Sequence, residues 1–230
     1  MKKPLSFLAL PALLFLCLGS LCAQELPPRE FLERIRQPLC QEAWGEATGR
    51  LVHKRKGAPD LEGTLGLRVT FTPSAMFAQL TLNETNFYGL EITLATASQS
   101  VQRLDLPEKE EKPSLFDFGV RPSDLSFAFL FWDFLQELPR SSSRWQDCRV
   151  LRLASPDGTE TVDVWFHAEQ GFPMEAKWHR KGEEKPWRTL VMKGAKRFSN
   201  GIWFVKEMQL TGTDWKTSVK FDFAEKNNAP

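Results

Sequence analysis

Apolar and polar side chains alternate with a period of two along most of this chain. In residues 65–71, Leu65, Leu67, Val69 and Phe71 alternate with glycine and polar residues. Because successive side chains of a β-strand point to opposite faces, the pattern predicts a strand with one buried and one wet face. The same period predicts further strands at Gly49–Lys54, Met76–Leu82, Gly89–Thr96 and onward to Leu104, Val150–Leu153, Thr161–Phe166, Met174–His179, Arg188–Met192, Ile202–Leu210 and Trp215–Phe223.

The predicted strands are separated by residues that favour turns. Asp157 with Gly158, Asn200 with Gly201, and Gly212 each lie between two strand-like runs. Such residues are typical of tight hairpins. The chain is therefore predicted to be mainly β, with an antiparallel sheet that two helical segments interrupt.

The last predicted strand has the strongest pattern. Its odd positions hold Trp215, Thr217, Val219, Phe221 and Phe223, while its even positions hold Lys, Ser, Lys and Asp. A slip of one residue would expose all of this aromatic surface, so the register is strongly specified. The five odd side chains are expected to share the buried face.

The first helical segment is Pro28–Gln37. Pro28 suits the first turn of a helix, and Phe31, Leu32 and Ile35 fall on one face. The segment is predicted to be an amphipathic helix that the proline at position 38 ends.

The second helical segment, Leu125–Leu138, is apolar at almost every position, and Ser123 is expected to cap it. Its aromatic residues include Phe127, Phe131 and Trp132. A helix that is apolar all round must be covered on several sides or must itself cover something. These three aromatic residues are therefore candidates for a lid.

The N-terminus has the order of regions found in a signal peptide. Two lysines precede an apolar run at residues 5–18, and small residues with a plausible cleavage point after Ala23 follow. A bilayer span needs roughly 20 apolar residues, so this short run favours a cleaved signal over a membrane anchor. Residues 1–23 are predicted to be a signal peptide, and residues 24–230 a single exported domain.

Charge is nearly balanced in the predicted mature chain. The sequence has 30 basic and 29 acidic side chains, and loss of the two N-terminal lysines leaves 28 and 29, a net charge of −1. No overall field is then available to collect nucleic acid or anionic membrane. A nucleic-acid partner is therefore not expected. The chain itself is not expected to be an integral membrane protein.

No arrangement of residues in the sequence predicts a catalytic or metal site. His53, His167 and His179 each stand alone among strand residues, without a Glu or Cys at a metal-ligand spacing. Asp124 and Asp133 are more simply explained as a helix cap and an exposed position than as acid–base residues. The sequence predicts a binding protein that is not an enzyme and uses no metal or cofactor.

Cys40 and Cys148 are the two cysteines outside the predicted signal peptide. In an oxidising compartment they could form a disulfide, which would close a loop of about 108 residues and contribute about 4–5 kcal/mol in the chain-entropy model. Two buried free thiols are the alternative, and the spacing of the cysteines does not distinguish the two.

The aromatic composition is skewed, with 18 Phe and 8 Trp against a single Tyr. The skew favours a large, wholly apolar surface. If the sheet curls enough for one face to line a cavity, eight apolar residues would form the wall and the second helical segment would plug or cover it. The wall candidates are Leu65, Leu67, Val69, Phe71, Trp178, Trp203, Trp215 and Phe221. The alternative reading of the same residues is a filled core without room for a ligand.

Two stretches of the sequence resemble a known family. Residues 162–212 combine Trp-bearing strands, a proline after a short turn and the run KGAKRFSNGIW; residues 122–134, PSDLSFAFLFWDF, are followed by CRVLRLASP at residues 148–156. With the order of predicted elements over residues 28–223, they are similar to the bacterial LolA-like family of outer-membrane lipoprotein-sorting proteins. That family includes the N-terminal lobe of RseB-type periplasmic regulators.

The resemblance implies an unclosed antiparallel β-barrel, or half-barrel, with helices covering its concave face. It also implies a periplasmic carrier that binds lipoprotein acyl chains or another lipid and passes them from an inner-membrane transporter to an outer-membrane acceptor. A lipid-sensing or regulatory module with a protein partner is the alternative function on the same fold. In the best-known carrier of the family, an arginine on a strand holds the lid closed. When the two sequences are compared, Arg68 is one position away from that arginine, so the same role is not expected for Arg68.

Overall fold

The computed structural model describes residues 26–36, 43–72, 74–84, 86–93, 98–104, 113–197 and 203–228. Their helices are α1 (Pro28–Arg36) and α2 (Pro122–Leu125), with 3-10 turns at Leu115–Phe118 and Ala128–Phe131. Their strands are β1 (Ala43–Arg55), β2 (Leu61–Phe71), β3 (Ala75–Leu82), β4 (Asn86–Thr93), β5 (Ser98–Leu104), β6 (Asp133–Ser143), β7 (Gln146–Ala154), β8 (Glu160–His167), β9 (Pro173–Arg180), β10 (Arg188–Met192), β11 (Ala195–Arg197), β12 (Trp203–Val205), β13 (Glu207–Thr211) and β14 (Trp215–Asn228).

Twelve of these strands form one antiparallel sheet. Its order is β5-β4-β3-β2-β1-β14-β13-β10-β9-β8-β7-β6, and β11 pairs with β12 in a separate hairpin. Within the described ranges, the edge strands β5 and β6 each pair with one neighbour and do not pair with each other. The molecule is therefore an unclosed β-barrel with helices over its concave face, which confirms the fold class predicted from the sequence.

The alternating pattern located most strands well. β10 has the predicted bounds, and β2, β8 and β9 extend the predicted runs by a few residues. Gly158 takes a positive φ of 65° in the tight connection between β7 and β8, as a hairpin glycine should. The predicted turn at Asn200 and Gly201 lies outside the described residues, as does the predicted signal peptide.

The concave face is covered by two pieces of chain. α1 forms where predicted, and it buries Phe31 and Leu32, while Ile35 is half-buried against the same core. The second piece, residues 115–132, comprises the two 3-10 turns and α2, and is called the cover segment below. None of the helices in the described ranges is long and apolar enough to span a bilayer.

The prediction of a helix over Leu125–Leu138 is wrong. α2 ends at Leu125, and Phe127 takes a left-handed backbone with φ 57°, which interrupts any helix. From Asp133 onward the chain is β6, whose residues are mostly exposed. An edge strand exposed on both faces needs no alternation, so this strand has no period-two signal. The short helical turns take their shape from the sheet that they cover.

The cap of this segment also differs from the prediction. Arg121 occupies the N-cap position and a proline the first position of α2, so Ser123 lies within the first turn. The Arg121 backbone N–H donates to Asp124 Oδ2 at 2.7 Å, which confirms that Asp124 acts as a cap. Asp133 is exposed, as its simpler interpretation required.

The expectation that all five odd positions of the last strand are buried is wrong at Phe223. Pairing of β14 with β1 shifts by one residue between Thr48 and Gly49, which leaves Asp222 as the extra residue of a β-bulge. Beyond the bulge the faces exchange. Ala224 is buried, while Phe223 is 40% exposed.

Candidate functional site

The first wall of the concave face is built by β1, β2 and β3. In register, Leu65 lies between Gly49 and Leu82, and the next inward pairs repeat the arrangement two residues along. Leu65, Leu67 and Val69 are buried on this face, and Phe71 is half-buried against the same core. The alternation predicted for this strand therefore describes the face that meets the cover segment.

The second wall comes from β14 and the strands beyond it in the sheet. Trp178 on β9 is 1% exposed, and its indole packs edge-to-face on the Phe129 ring with centroids 5.2 Å apart. Phe221 is buried in the same core, and Trp215 is half-buried against it. The structure thus brings seven of the eight predicted wall residues into one cluster. The side chain of Trp203 lies outside the described set, although its backbone belongs to β12.

The cover segment fills the space between the walls in this conformation. Phe118, Phe129, Phe131 and Trp132 are buried, and Phe127 is half-buried. Any apolar ligand must therefore displace these side chains to reach the walls. A ligand that did so would exchange its own apolar contacts for those of the cover segment.

The cover segment is largely apolar, yet polar contacts also attach it to the rest of the molecule. The first is at the Phe118 carbonyl oxygen, which accepts a hydrogen bond from the Thr217 hydroxyl and lies 3.1 Å from His53 Nδ1. His53 Nδ1 is also 2.8 Å from Thr217 Oγ1, and its ring stacks on Trp215. Gly119, with φ 66°, packs directly on the Trp215 ring, where a Cβ atom would approach to 2.8 Å.

The second contact is an ion pair between Arg121 and Glu160 on β8. The Arg121 guanidinium donates to both oxygens of Glu160, at 2.7 and 3.2 Å. Burial is the largest single influence on the pKa of Arg121 and lowers it, but the Glu160 hydrogen bond and charge, with the charge of Asp124, leave it raised overall. The arginine therefore stays charged, and the pair draws the start of α2 towards the sheet.

The third contact is the most buried ion pair of the site. Arg188 NH2 on β10 donates to Asp124 Oδ2 at 2.5 Å, and the two side chains are 2% and 1% exposed. The Arg188 guanidinium carbon also lies 4.9 Å from the centre of the Trp178 ring. The positive charge of Arg188 thus lies beside an aromatic ring of the wall. Among the described residues, its carboxylate partner is Asp124 of the cover segment.

The fourth contact ties the end of the cover segment to α1. Arg36 donates from Nε to the Leu130 carbonyl and from NH2 to the Trp132 carbonyl, both at 2.7 Å. α1 is itself held on the sheet, because Arg149 donates to the Leu26 carbonyl and lies over the Phe31 ring. The helix and the cover segment are therefore connected to each other over the concave face.

The sequence did not predict these polar contacts, although the positions of three of the residues in their strands indicated that they would be buried. His53 lies two places from the buried Leu51, Thr217 two from Val219, and Arg188 two from Leu190. Each is thus a polar residue at an inward position of a strand. Such a residue needs a buried partner, but the sequence does not say which one.

The other predicted residues are placed as follows. His167 Nε2 lies 3.2 Å from Gln146 Oε1, and His179 Nδ1 lies 2.9 Å from the Glu184 carbonyl. Cys148 is buried, and burial raises the pKa of its thiol. Because Cys40 lies outside the described residues, a bond between the two cysteines stays a prediction.

An open cleft of about 610 Å³ lies near the β7–β8 and β9–β10 turns. Its lining carries charges of both signs, including Arg152, Arg180, Glu160 and Glu183. Most of these side chains already have an opposite partner within the protein. The cleft therefore does not match an acyl chain, and the concave face is the candidate site.

Three solved structures have a similar fold. An outer membrane lipoprotein-sorting protein domain from Vibrio parahaemolyticus superimposes with a TM-score of 0.62 at 12% identity, covering 88% of this chain and 94% of its own. A DUF1329 family protein from Desulfovibrio piger gives 0.66 at 12% identity, covering 90% and 92%. A LolA superfamily protein from Nitrosomonas europaea gives 0.60 at 11% identity, covering 86% and 94%.

No family model matches the sequence, and no curated protein sequence matches it. Identities of 11–12% establish the fold and nothing beyond it. The likeness extends over most of each chain. The chain therefore has the LolA-like fold that its sequence resembles.

Proposed function

We propose that this protein is a lipid carrier that binds acyl chains on the concave face of its sheet. One observation carries the proposal: a continuous apolar wall is closed by a segment that is itself apolar but is attached through polar contacts. For a segment that must leave and return, polar contacts at defined points specify one closed position.

The energetics of exchange favour this function. Burial of an acyl chain gains about 0.8 kcal/mol per CH₂ group. Opening the cover segment costs the burial of its aromatic rings, which a long acyl chain restores by filling the same space. Binding would then be strong enough to hold a lipid yet reversible at an acceptor.

The cellular setting of the proposal follows from the sequence and the fold together. The N-terminal pattern supports export, and the fold is shared with a domain whose name describes sorting of outer membrane lipoproteins. We infer a periplasmic carrier of lipoprotein acyl chains, or of another lipid, that works between an inner-membrane transporter and an outer-membrane acceptor without covalent chemistry.

The test uses two substitutions on one strand. Leu67→Gln places an amide in the wall, and Thr70→Gln places the same amide on the exposed face of β2. Organic extracts of each purified protein, before and after incubation with lipid, are analysed by mass spectrometry, with circular dichroism to check folding. Wild type and Thr70→Gln should carry lipid in stoichiometric amounts, and Leu67→Gln should carry much less. A wild-type protein that is empty and takes up no lipid would contradict the carrier function.

A lipid-sensing or regulatory module remains the second candidate, and Trp145 favours it. This side chain is 98% exposed at the β6–β7 turn, and the neighbouring Arg144 holds the turn by donating to the Met192 carbonyl. Exposed indoles are common anchors of protein interfaces. If the module is correct, Trp145→Ala should abolish capture of a partner while lipid content is unchanged. A pure carrier should deliver lipid equally well with either residue.

A further inference from the structure

Arg188 is the unusual residue of the proposed lipid-binding face. It lies at an inward position of β10, opposite Trp178 in the β9 register. Among the residues that the structure describes, its only carboxylate partner is Asp124, and its Nε–H has no hydrogen-bond acceptor. The adjacent Trp187 has the same property, since its indole Nε1–H is buried without an acceptor.

Opening of the cover segment affects the two ion pairs of α2 differently. Glu160 faces Arg180 in the β8–β9 register, so a cation remains beside it when Arg121 leaves. Arg188 faces an indole and keeps no carboxylate from its register partner. A buried guanidinium without a counter-charge is strongly unfavourable. The open state therefore requires another anion at this place.

We propose that the anionic head group of the bound amphiphile, a carboxylate or a phosphate, replaces the Asp124 carboxylate on Arg188 when the cover segment opens. This inference rests on the proposed carrier function and names the chemical class of its ligand. The acyl chain occupies the space vacated by the aromatic rings of the cover segment. The head group accepts hydrogen bonds from Arg188, and the free Nε–H of Arg188 and Nε1–H of Trp187 give the neighbourhood two further donors.

The exchange also makes the ligand and the closed cover segment competitors for one cation. Asp124 Oδ2 accepts from both Arg188 and the Arg121 backbone N–H. A departing Asp124 keeps the Arg121 hydrogen bond, because both groups belong to the same helical turn. The cover segment can therefore open as a unit while its own cap stays intact, and the ligand pairs with the charge that it leaves behind.

The test compares three probes with the same chain and different heads: decanoate, decyl phosphate and decanol. Their affinities for the purified protein are measured by titration calorimetry for wild type, Arg188→Gln and the control Arg50→Gln, whose arginine is exposed on β1. A charged hydrogen bond contributes roughly 1.5–3 kcal/mol, so wild type should bind the anions about tenfold or more tightly than decanol. Arg188→Gln should abolish the difference in affinity between the anions and decanol, whereas Arg50→Gln should behave as wild type.

The outcomes separate this inference from the proposed function. If all three probes bind equally and Arg188→Gln changes none of them, the head-group site is wrong and the carrier function stands. If no probe binds to wild type, both are wrong. A preference for decyl phosphate over decanoate indicates a phospholipid-like head, and the reverse preference indicates a fatty acid; either supports the site.

Asp124→Asn provides a second measurement that does not depend on folding of the Arg188 variant. It removes the internal carboxylate with little change of shape and leaves Arg188 in place. Decanoate should raise the melting temperature of Asp124→Asn more than that of wild type, because no internal pair has to be broken, and it should raise the melting temperature of Asp124→Asn more than decanol does. An equal effect of decanoate on the two proteins would overturn the proposed exchange.

Discussion

Two arginine–aspartate pairs with similar chemistry lie in two regions of this molecule. Arg152 and Asp163 face each other on neighbouring strands and form two parallel hydrogen bonds, of 2.6 and 2.7 Å. Arg188 and Asp124 join the sheet to the cover segment through one nitrogen and one oxygen. The first pair stays together whenever the sheet is intact. The second exists only while the cover segment is closed.

Burial separates the two pairs further. The Arg152 side chain is 31% exposed, so water can solvate it if its partner is lost, whereas Arg188 is 2% exposed. The hydrogen bond with Asp163 is also the first cause of a raised pKa at Arg152. An ion pair within the sheet thus helps to fix the strand register, and loss of one partner costs less because water can replace it. A pair that joins the sheet to the cover segment depends on that segment staying in place.

The largest expected effect comes from removing the aspartate of each pair. Asp124→Ala leaves Arg188 buried without a carboxylate and should cost about 3–5 kcal/mol of unfolding free energy in urea. Asp163→Ala should cost about 1–3 kcal/mol, because Arg152 then turns to water. The double variant Asp124→Leu with Arg188→Met should recover most of the loss, since it removes both charges. Equal costs for the two single variants would contradict the distinction between the pairs.

The contact between Gly119 of the cover segment and the Trp215 ring provides the next comparison. Gly119 and Gly158 have nearly the same φ, 66° and 65°, but a Cβ on Gly119 would meet Trp215 at 2.8 Å, while one on Gly158 would meet nothing within 4 Å. Gly158→Ala should cost roughly 1–2 kcal/mol for the left-handed backbone alone. Gly119→Ala should cost about 1–3 kcal/mol more, because the added methyl group also overpacks the contact with Trp215. Urea unfolding of both variants measures the difference. Equal costs would show that Gly119 is not tightly packed against Trp215.

The same contrast explains what the sequence could predict. Alternation located β2 and β10 because it reports which face is buried, and it identified the wall residues for the same reason. It missed β6, which is exposed on both faces, and Phe223, which a single extra residue moved outward. The polar contacts of the cover segment join residues 64 and 99 positions apart. Such pairings depend on the three-dimensional arrangement of elements, which a period does not encode.

A smaller effect is expected at the first polar contact of the cover segment. Thr217→Val keeps the shape of the side chain but removes the hydroxyl that donates to the Phe118 carbonyl. The loss should be about 1 kcal/mol, the usual contribution of one hydrogen bond. Thr48→Val, at an exposed position of β1, should change stability by less than about 0.5 kcal/mol. Amide exchange should quicken around residues 115–119 in the first variant and should not in the second.

The smallest effect, and the sharpest test of independence, is expected at Cys148. This thiol lies on β7, the strand of Arg152, and burial, followed by the nearby charges of Asp147 and Glu175, raises its pKa despite a hydrogen bond from the backbone. Its thiolate is therefore scarce in the folded state, and labelling by a thiol reagent requires local opening of the sheet. In reduced protein that carries Cys40→Ser, Asp124→Asn should leave the labelling rate of Cys148 unchanged, because it loosens only the cover segment. Asp163→Ala should increase that rate, since it weakens the β7–β8 pairing. If Asp124→Asn instead exposes Cys148, the cover segment and the sheet open together, and the lid cannot act on its own.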